Sequence, residues 1–463
     1  MDPSLILAVS THGLGRCWIV TSSLLRMSLC IGNEGSMFMV TEDGDMSFVG
    51  RNSGGELGLG YQPAVKPPTL LGKQAFGGHD VVMASTCDGR SACVTSTGTL
   101  WMWASDFDGA PGMLREDQIP LPTQVFLQTP VLMVACGYAF TMVLTRTKHV
   151  WSCGCGGHGQ LGHNDKNDRE TFTQIEHQRF GPAATVSMIA AGHRHSMALT
   201  TTTAGSTLWV WGSRSYGVLG CEVTGKNHMV PIPVPAAAFG GASPVSMDAG
   251  VGHTMVVTAD GSLWGCGSDT FGQLGLHKNA TEADVSICVR TFQKVAGSDF
   301  AHGAGVLMAA CGYSHSVVLA KNNTVWVCGG YKNDLGMCLF TRSLTAMDPA
   351  LFGDSKVLVV AGGKYTCGAV TEDGRAWMWT GTGTTSPVCA LVQHARIGRW
   401  HNVRPDHAVA FAMVAHERLG EDAPRFAELL PSDIIQSIID YTHLEPRADT
   451  PHGLHDRMGR RPR

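Results

Sequence analysis

The sequence is poor in charge. Asp, Glu, Lys and Arg make up 16% of its 463 residues and sum to a formal −4, where roughly a quarter of an ordinary soluble chain is charged. So little charge excludes long solvated arms. So even a balance exerts no general pull on nucleic acid or anionic lipid. Long apolar runs are missing too. None approaches 18 residues, so no membrane-crossing helix is expected. The opening "MDPSLILAVS" carries an acidic second residue and no basic stretch, so no secretory leader is read there. There is no phosphate-cradling loop, no zincin helix and no serine elbow. With no nucleophile set beside a base, catalysis is not expected.

Glycine is what the chain has in quantity. Its 57 glycines are scattered in short motifs, with neither a collagen period nor a low-complexity run. Glycine spread this way marks many tight turns, and hence many short strands. The 44% of hydrophobic residues suffices for a sizeable core. The 15 cysteines are an odd number in a long chain. They read as reduced thiols, and the expected location is cytoplasmic, nuclear or both.

Internal repeats account for the glycines. "ACGYAFTMVLTRTKHVWSCGCGGHGQLG" from Ala135 aligns without a gap with "DAGVGHTMVVTADGSLWGCGSDTFGQLG" from Asp248. "ACGYSHSVVLAKNNTVWVCGGYKNDLG" from Ala310 and "AAGHRHSMALTTTTAGSTLWVWGSRSYGVLG" from Ala190 match after small gaps in turns. Weaker copies begin at Ile31, Ser85 and Ala361, which makes seven. The residue three after the motif glycine falls at Ser36, Arg90, Phe140, His195, His253, His315 and Thr366, a spacing of 50 to 62 residues.

That register decides an ambiguous cluster. "CGCGGHGQLGH" (153–163) sets Cys153, Cys155, His158 and His163 close together, as a metal site would. Yet Cys153 shares its repeat position with Cys266, Cys328, Trp103, Trp211 and Trp379. His158 matches Tyr216 and Phe271, and His163 matches Cys221 and Leu276. A ligand set does not alternate with Trp, Phe and Leu. Buried thiols serve equally well as small hydrophobes, so neither a metal nor a cofactor is expected.

Each copy reads as four short strands. "VLMAA" (306–310) exemplifies the first, "HSMALT" (195–200) the second and "LWVWG" (208–212) the third. Polar turns such as "ADG" (259–261) join the second to the third. A fourth, edge-like strand is expected in stretches such as "TQIEH" (173–177) or "VPIPV" (230–234). Such a sheet, apolar on both faces, must stack on its neighbours, and a closed ring removes the exposed ends. The expected fold is all-β: a seven-bladed β-propeller over residues 27–393, with a short α-helical C-terminal extension. Segment 1–26 is a candidate for closing the ring. Its "CWIVT" (17–21) and the stretch "PVCALVQ" (387–393) compete for the last outer strand.

The pattern A-x-G-x-x-H-[ST], a W-x-W-G strand and G-Q-L-G resembles the regulator-of-chromosome-condensation repeat family. The resemblance covers residues 27–393. It is specific in copies three to six and degenerate in one, two and seven. It implies a propeller that binds protein partners. A non-enzymatic scaffold, acting as a substrate-recognition or adaptor protein linked to ubiquitination, is the first expectation. The alternative it implies is guanine-nucleotide exchange on a small Ran-like GTPase, although no inserted wedge can be placed in this chain. The resemblance also brings light sensing into view, through tryptophans one residue after the motif glycine. Glu34, Asp88, Tyr138, His193, Val251, Tyr313 and Lys364 stand there instead.

Candidate binding residues follow from the same register. Arg90, Tyr138, His193, Arg194, Tyr313 and Lys364 would line one end of the ring. Tyrosine and arginine are common interface anchors. The repeated His195, His253 and His315 read as structural hydrogen-bonding groups. After the repeats the character turns helical over 399–445. Ile434, Ile435, Ile438 and Ile439 form an apolar stripe at helical spacing, with Leu430 and Pro431 near its start. "LLPSDIIQSIIDY" (429–441) resembles the opening of an F-box, whose helices dock a ubiquitin-ligase adaptor. Too few residues follow for a complete one. The basic tail 446–463 reads as solvated and disordered.

Overall fold

The computed structural model describes residues 6–392, except 10–16, 23–24, 32–36, 41–43, 51, 53–54, 61–65, 88, 105–118, 182–183, 204, 222–226, 277–286, 296–299, 331–340, 354, 365, 374 and 381–387. The expected helices of 399–445 and the tail 446–463 therefore lie outside the described residues. All described elements belong to the compact unit Met1–Ile397.

Seven antiparallel sheets build that unit. The first has six strands: β1 (Ile6–Val9), β2 (Cys17–Ser22), β3 (Leu25–Ile31), β4 (Met37–Val40), β5 (Met46–Gly50) and β6 (Lys66–Leu71). The other six sheets have four strands each. Blade two holds β7 (Val81–Cys87), β8 (Arg90–Thr95), β9 (Leu100–Ala104) and β10 (Ile119–Val125). Blade three holds β11 (Val131–Gly137), β12 (Phe140–Thr145), β13 (Val150–Gly154) and β14 (Arg169–Gln174). Blade four holds β15 (Thr185–Ala191), β16 (His195–Thr202), β17 (Gly205–Ser213) and β18 (Asn227–Val234). Blade five holds β19 (Pro244–Ala249), β20 (His253–Thr258), β21 (Leu263–Ser268) and β22 (Cys288–Lys294). Blade six holds β23 (Val306–Cys311), β24 (His315–Ala320), β25 (Val325–Gly329) and β26 (Thr345–Ala346). Blade seven holds β27 (Val357–Gly362), β28 (Thr366–Thr371), β29 (Ala376–Thr380) and β30 (Val388–Val392).

The strands β3, β7, β11, β15, β19, β23 and β27 touch one another in that order, and β27 touches β3. The ring is thus a closed seven-bladed propeller with these strands innermost. Among the described residues no blade borrows a strand from the other end of the chain. The fourth strand of blade seven is Val388–Val392, paired with Ala376–Thr380. Cys17–Ser22 pairs instead with Leu25–Ile31, on the inner edge of blade one. From there β2 touches β7 and β27, while β1 reaches β11, β15 and β19. The N-terminal hairpin therefore lies inside the ring.

One short element has no counterpart in the sequence reading. Single 3₁₀ turns precede the next blade at Lys73–Phe76, His177–Phe180, Ala236–Phe239, Phe300–Gly303 and Pro349–Phe352. Each sets a phenylalanine against a third-strand tryptophan of the following blade. Phe76 meets Trp101, Phe180 meets Trp209, Phe239 meets Trp264, Phe300 meets Trp326 and Phe352 meets Trp377, at centroid separations of 4.9–6.0 Å.

Hydrogen bonds lock neighbouring blades through the G-x-L-G loops. The Gln160 carbonyl of blade three accepts from Ser196 Oγ (2.7 Å) and Trp211 Nε1 (2.9 Å) of blade four. The Glu56 carbonyl accepts from Ser91 Oγ and Trp103 Nε1 in the same way. Val218 O accepts from Thr254 Oγ1 and Cys266 Sγ, and Gln273 O from Ser316 Oγ and Cys328 Sγ. The loop approaches so closely that a Cβ on Gly162 would stand 3.0 Å from Trp211 Nε1, at a backbone φ of +81°. Only glycine suits both constraints.

The shared carbonyl makes a testable coupling. Ser196→Ala or Trp211→Phe alone leaves Gln160 O with one donor, and each is expected to cost about 1 kcal/mol. Together they strand a buried carbonyl. The double variant is expected to lose about 1 kcal/mol more than the sum of the singles in guanidinium unfolding. Strict additivity would show that the two donors act independently.

Candidate functional site

First strands end at the motif glycine and third strands at the W-x-W-G glycine, so the turns after both emerge at one end of the ring. The glycine is needed because the side chain three residues on folds back over it. A Cβ on Gly192 would overlap the His195 ring, and one on Gly137 would overlap Phe140. The inward residue is thereby fixed, and the two residues between are pushed outward.

The inward histidines belong to the blade lock. Thr254 Oγ1 gives its one proton to Val218 O, so His195 donates its Nε2–H to that oxygen at 3.0 Å. His253 donates likewise to Ser316 Oγ at 3.0 Å, and that hydroxyl donates to Gln273 O. Burial then holds His195 at a pKa of about 3, with nearby His193 adding to the depression. His195 is therefore a neutral structural group.

Of the expected binding residues, the structure brings three into contact. Tyr138 of blade three stacks on His193 of blade four, with centroids 4.4 Å apart and planes 24° from parallel. The Arg194 guanidinium lies 5.9 Å over the Tyr138 ring. Tyr313 stands at the seam of blades six and seven, where its N–H donates to Gly363 O beside Lys364. Arg90 is placed differently. It is 4% exposed and occupies the inward position held elsewhere by histidine. Leu430, Pro431, Ile434, Ile435, Ile438 and Ile439 lie outside the described residues.

Around the Tyr138–His193 stack the face carries aromatic rings and the Arg194 guanidinium. Burial, aided by the nearby Arg194 and His158, lowers the pKa of His193 to about 4. Burial, Arg194 and Lys166 lower His158. Burial and Arg214 lower His228. Near neutral pH the positive charge beside these histidines therefore sits on Arg194, Lys166 and Arg214. Tyr216, 57% exposed, adds a residue that the sequence reading passed over. Its φ of +61° is uncommon for a bulky side chain. The available signal was its match to His158 and Phe271 at the tip of each third-strand loop.

The cysteine cluster is dispersed. Cys153 is buried, with its thiol directed at Thr141 O. His163 Nε2 meets Ser152 Oγ at 2.9 Å. Among the described residues no three His, Cys, Asp or Glu side chains are grouped to hold a metal ion. Burial pushes the Cys153, Cys266 and Cys93 thiols well above their ordinary value, which suits packing rather than ligation.

Comparison with known proteins agrees with this geometry. Residues 18–304 match the model of the RCC1-like domain, and residues 309–336 match the regulator of chromosome condensation (RCC1) repeat. The ultraviolet-B receptor UVR8 of Arabidopsis thaliana is 28% identical over 289 residues, covering 61% of this chain and 60% of that protein. Human protein RCC2 is 26% identical over 313 residues, covering 62% of this chain and 55% of that protein. This chain thus spans little more than half the length of these curated relatives. The crystal structure of Prp20p from Saccharomyces cerevisiae superposes with a TM-score of 0.59 at 19% identity, covering 73% of this chain and 80% of that one.

The depressed pKa of His193 has a measurable sign. An unfolded chain takes up a proton near pH 6.5 that the folded one refuses until about pH 4. Acidification through that window therefore favours unfolding. The guanidinium midpoint is expected to fall more steeply between pH 6.5 and 4 than in His193→Gln. The His193 ring signals should titrate near pH 4 by NMR, and titration near 6.5 would contradict the buried stack.

Proposed function

The chain belongs to the RCC1-like domain family, and on that premise we propose that it is a non-enzymatic protein-interaction module. Its partner is held at the turn end of the ring, around Tyr138, His193 and Arg194. The observation that carries this reading is the Tyr138–His193 stack capped by Arg194. A rigid aromatic pair beside a guanidinium is the arrangement of an interface anchor. Its charge favours a partner with an acidic patch. Tyr313 and Lys364 extend the same surface across blades six and seven.

A regulatory role fits the family. Prp20p, whose fold this chain shares, has binding properties toward Gsp1p and histones. By analogy a small GTPase is the second reading. The adaptor reading, with 430–439 as a partner helix that recruits a ubiquitin ligase, rests on sequence alone. The proposed location is cytoplasmic or nuclear. Among the described residues no helix is long and apolar enough to cross a membrane.

The test is quantitative affinity purification of three forms: the full chain, a chain ending at Gln393, and the full chain carrying Tyr138→Ala with Arg194→Glu. Both substituted side chains lie at the surface, so folding should survive. The expected result is a partner retained by the truncated chain and captured at least tenfold less by the double variant, a typical hot-spot loss. Capture unaffected by the double variant but lost on truncation would move function to the C-terminal segment. A captured GTPase whose nucleotide release the chain accelerates would favour exchange.

A further inference from the structure

The seam between blades two and three differs from the others. At five of the other six, a 3₁₀ turn lifts a phenylalanine over the neighbouring third-strand tryptophan. Four of these, Phe76, Phe180, Phe239 and Phe352, stand five residues before the next first strand, and all four are buried. Phe126 occupies that same register before β11. It is 85% exposed. The cause is the connector. Only residues 126–130 separate β10 from β11, where 72–80 and 235–243 do so at other seams. β10 runs straight into Phe126, no turn forms, and the ring points outward.

The space that a plug would fill stays open. A groove of ≈430 Å³ is lined by Thr123, Phe126, Leu127, Trp151, Thr171 and Phe172, among others. Trp151 is the third-strand tryptophan of blade three, equivalent to the covered Trp101, Trp209, Trp264, Trp326 and Trp377. Each of those indoles donates to a threonine hydroxyl. His149 replaces the threonine of the nearest pattern, and Trp151 Nε1 has no hydrogen-bond partner among the described residues. An outward plug and an empty socket thus lie side by side, with Leu121 (56% exposed) extending the apolar rim.

We propose that this rim is a self-association surface, on which two copies exchange Phe126 across a two-fold axis, each ring entering the other's socket. The five filled seams of the same chain show what the socket accepts: a phenylalanine edge-on or tilted to the tryptophan. A patch carrying both plug and socket is self-complementary, as an isologous dimer requires. Pairing of the β10 edges is not the mode, because Pro120 and Pro122 remove N–H groups from that edge. The surface is separate from the turn end and does not depend on the partner read there.

Sedimentation of the full chain over about 1–100 µM tests this, since weak interfaces of few anchors associate in the micromolar range. The expected result is a concentration-dependent dimer. Phe126→Ala, which removes the plug, and Thr171→Arg, which obstructs the socket, should each weaken it at least tenfold. Both positions are exposed, so the fold should tolerate them. Mixing the two variants restores one plug and one socket and should give back part of the association. The indole signal of Trp151, assigned by its loss in Trp151→Phe, should shift with concentration in the native chain and not in Phe126→Ala. A chain monomeric throughout, or a dimer indifferent to both substitutions, would overturn the proposal. An indole shift that is independent of concentration yet lost in Phe126→Ala would also overturn it, by placing the ring in its own socket.

Discussion

One backbone carbonyl per loop, captured by the next blade, holds this ring together. The loop after a third strand leaves the sheet, so its carbonyls lose their ladder partners while staying buried. Left unpaired, each would cost about 1–3 kcal/mol. At four seams the second and third strands of the next blade supply the donors. Two donors from two strands fix the rotation of one blade on the next as well as its distance. The second donor is an indole at Trp103 and Trp211 and a thiol at Cys266 and Cys328. The volume lost with the smaller residue is recovered nearby. Phe292 packs beside Gly220 next to Cys266, and Leu344 packs beside Gly275 next to Cys328. Exchange of size between neighbours keeps such a core filled.

The same lock explains why the proposed recognition surface uses the residues between glycine and histidine. Because they fold back over the motif glycine, His195 and His253 spend their Nε2 in hydrogen bonds between blades. The residues between glycine and histidine have no such duty. They alter freely without disturbing the ring, and across blades three and four they are Tyr138 with His193 and Arg194. Stacking across the seam makes that surface as rigid as the blades beneath it. Rigid aromatics lose little entropy on binding.

How far the sequence discloses this depends on whether a feature repeats. The strands, turns and interchangeable Cys/Trp positions recur, so register alone recovered them. The 3₁₀ turns also recur, as Phe-Gly pairs at 76–77, 180–181, 239–240 and 352–353, but one turn of helix is too short to show a period. The strand before them was consequently misplaced: "TQIEH" runs past the strand Arg169–Gln174 into the turn His177–Phe180. Arg90 is expected to line one end of the ring, yet it is buried. Its register with the buried histidines was the better guide. Tyr138 and His193 were nameable from register, but their stacking was not, since the angle between blades is set by packing that no single repeat encodes.

Closure follows from a different contact. In a ring of repeats each unit meets only its neighbours, and the last must meet the first without a continuous chain between them. Many propellers could solve this by sharing a strand; here each blade is made from its own stretch of sequence, and blade one packs on blade seven through β3 and β27. What distinguishes blade one is its two additional strands. Since β2 touches the blades on both sides of blade one while β1 crosses to blades three, four and five, the hairpin joins elements that the ring itself keeps apart. A neighbour-only array opens at its weakest seam. A hairpin spanning the interior makes opening at the first–seventh seam also break contacts on the far side, and so binds the closing seam to the cooperativity of the whole ring.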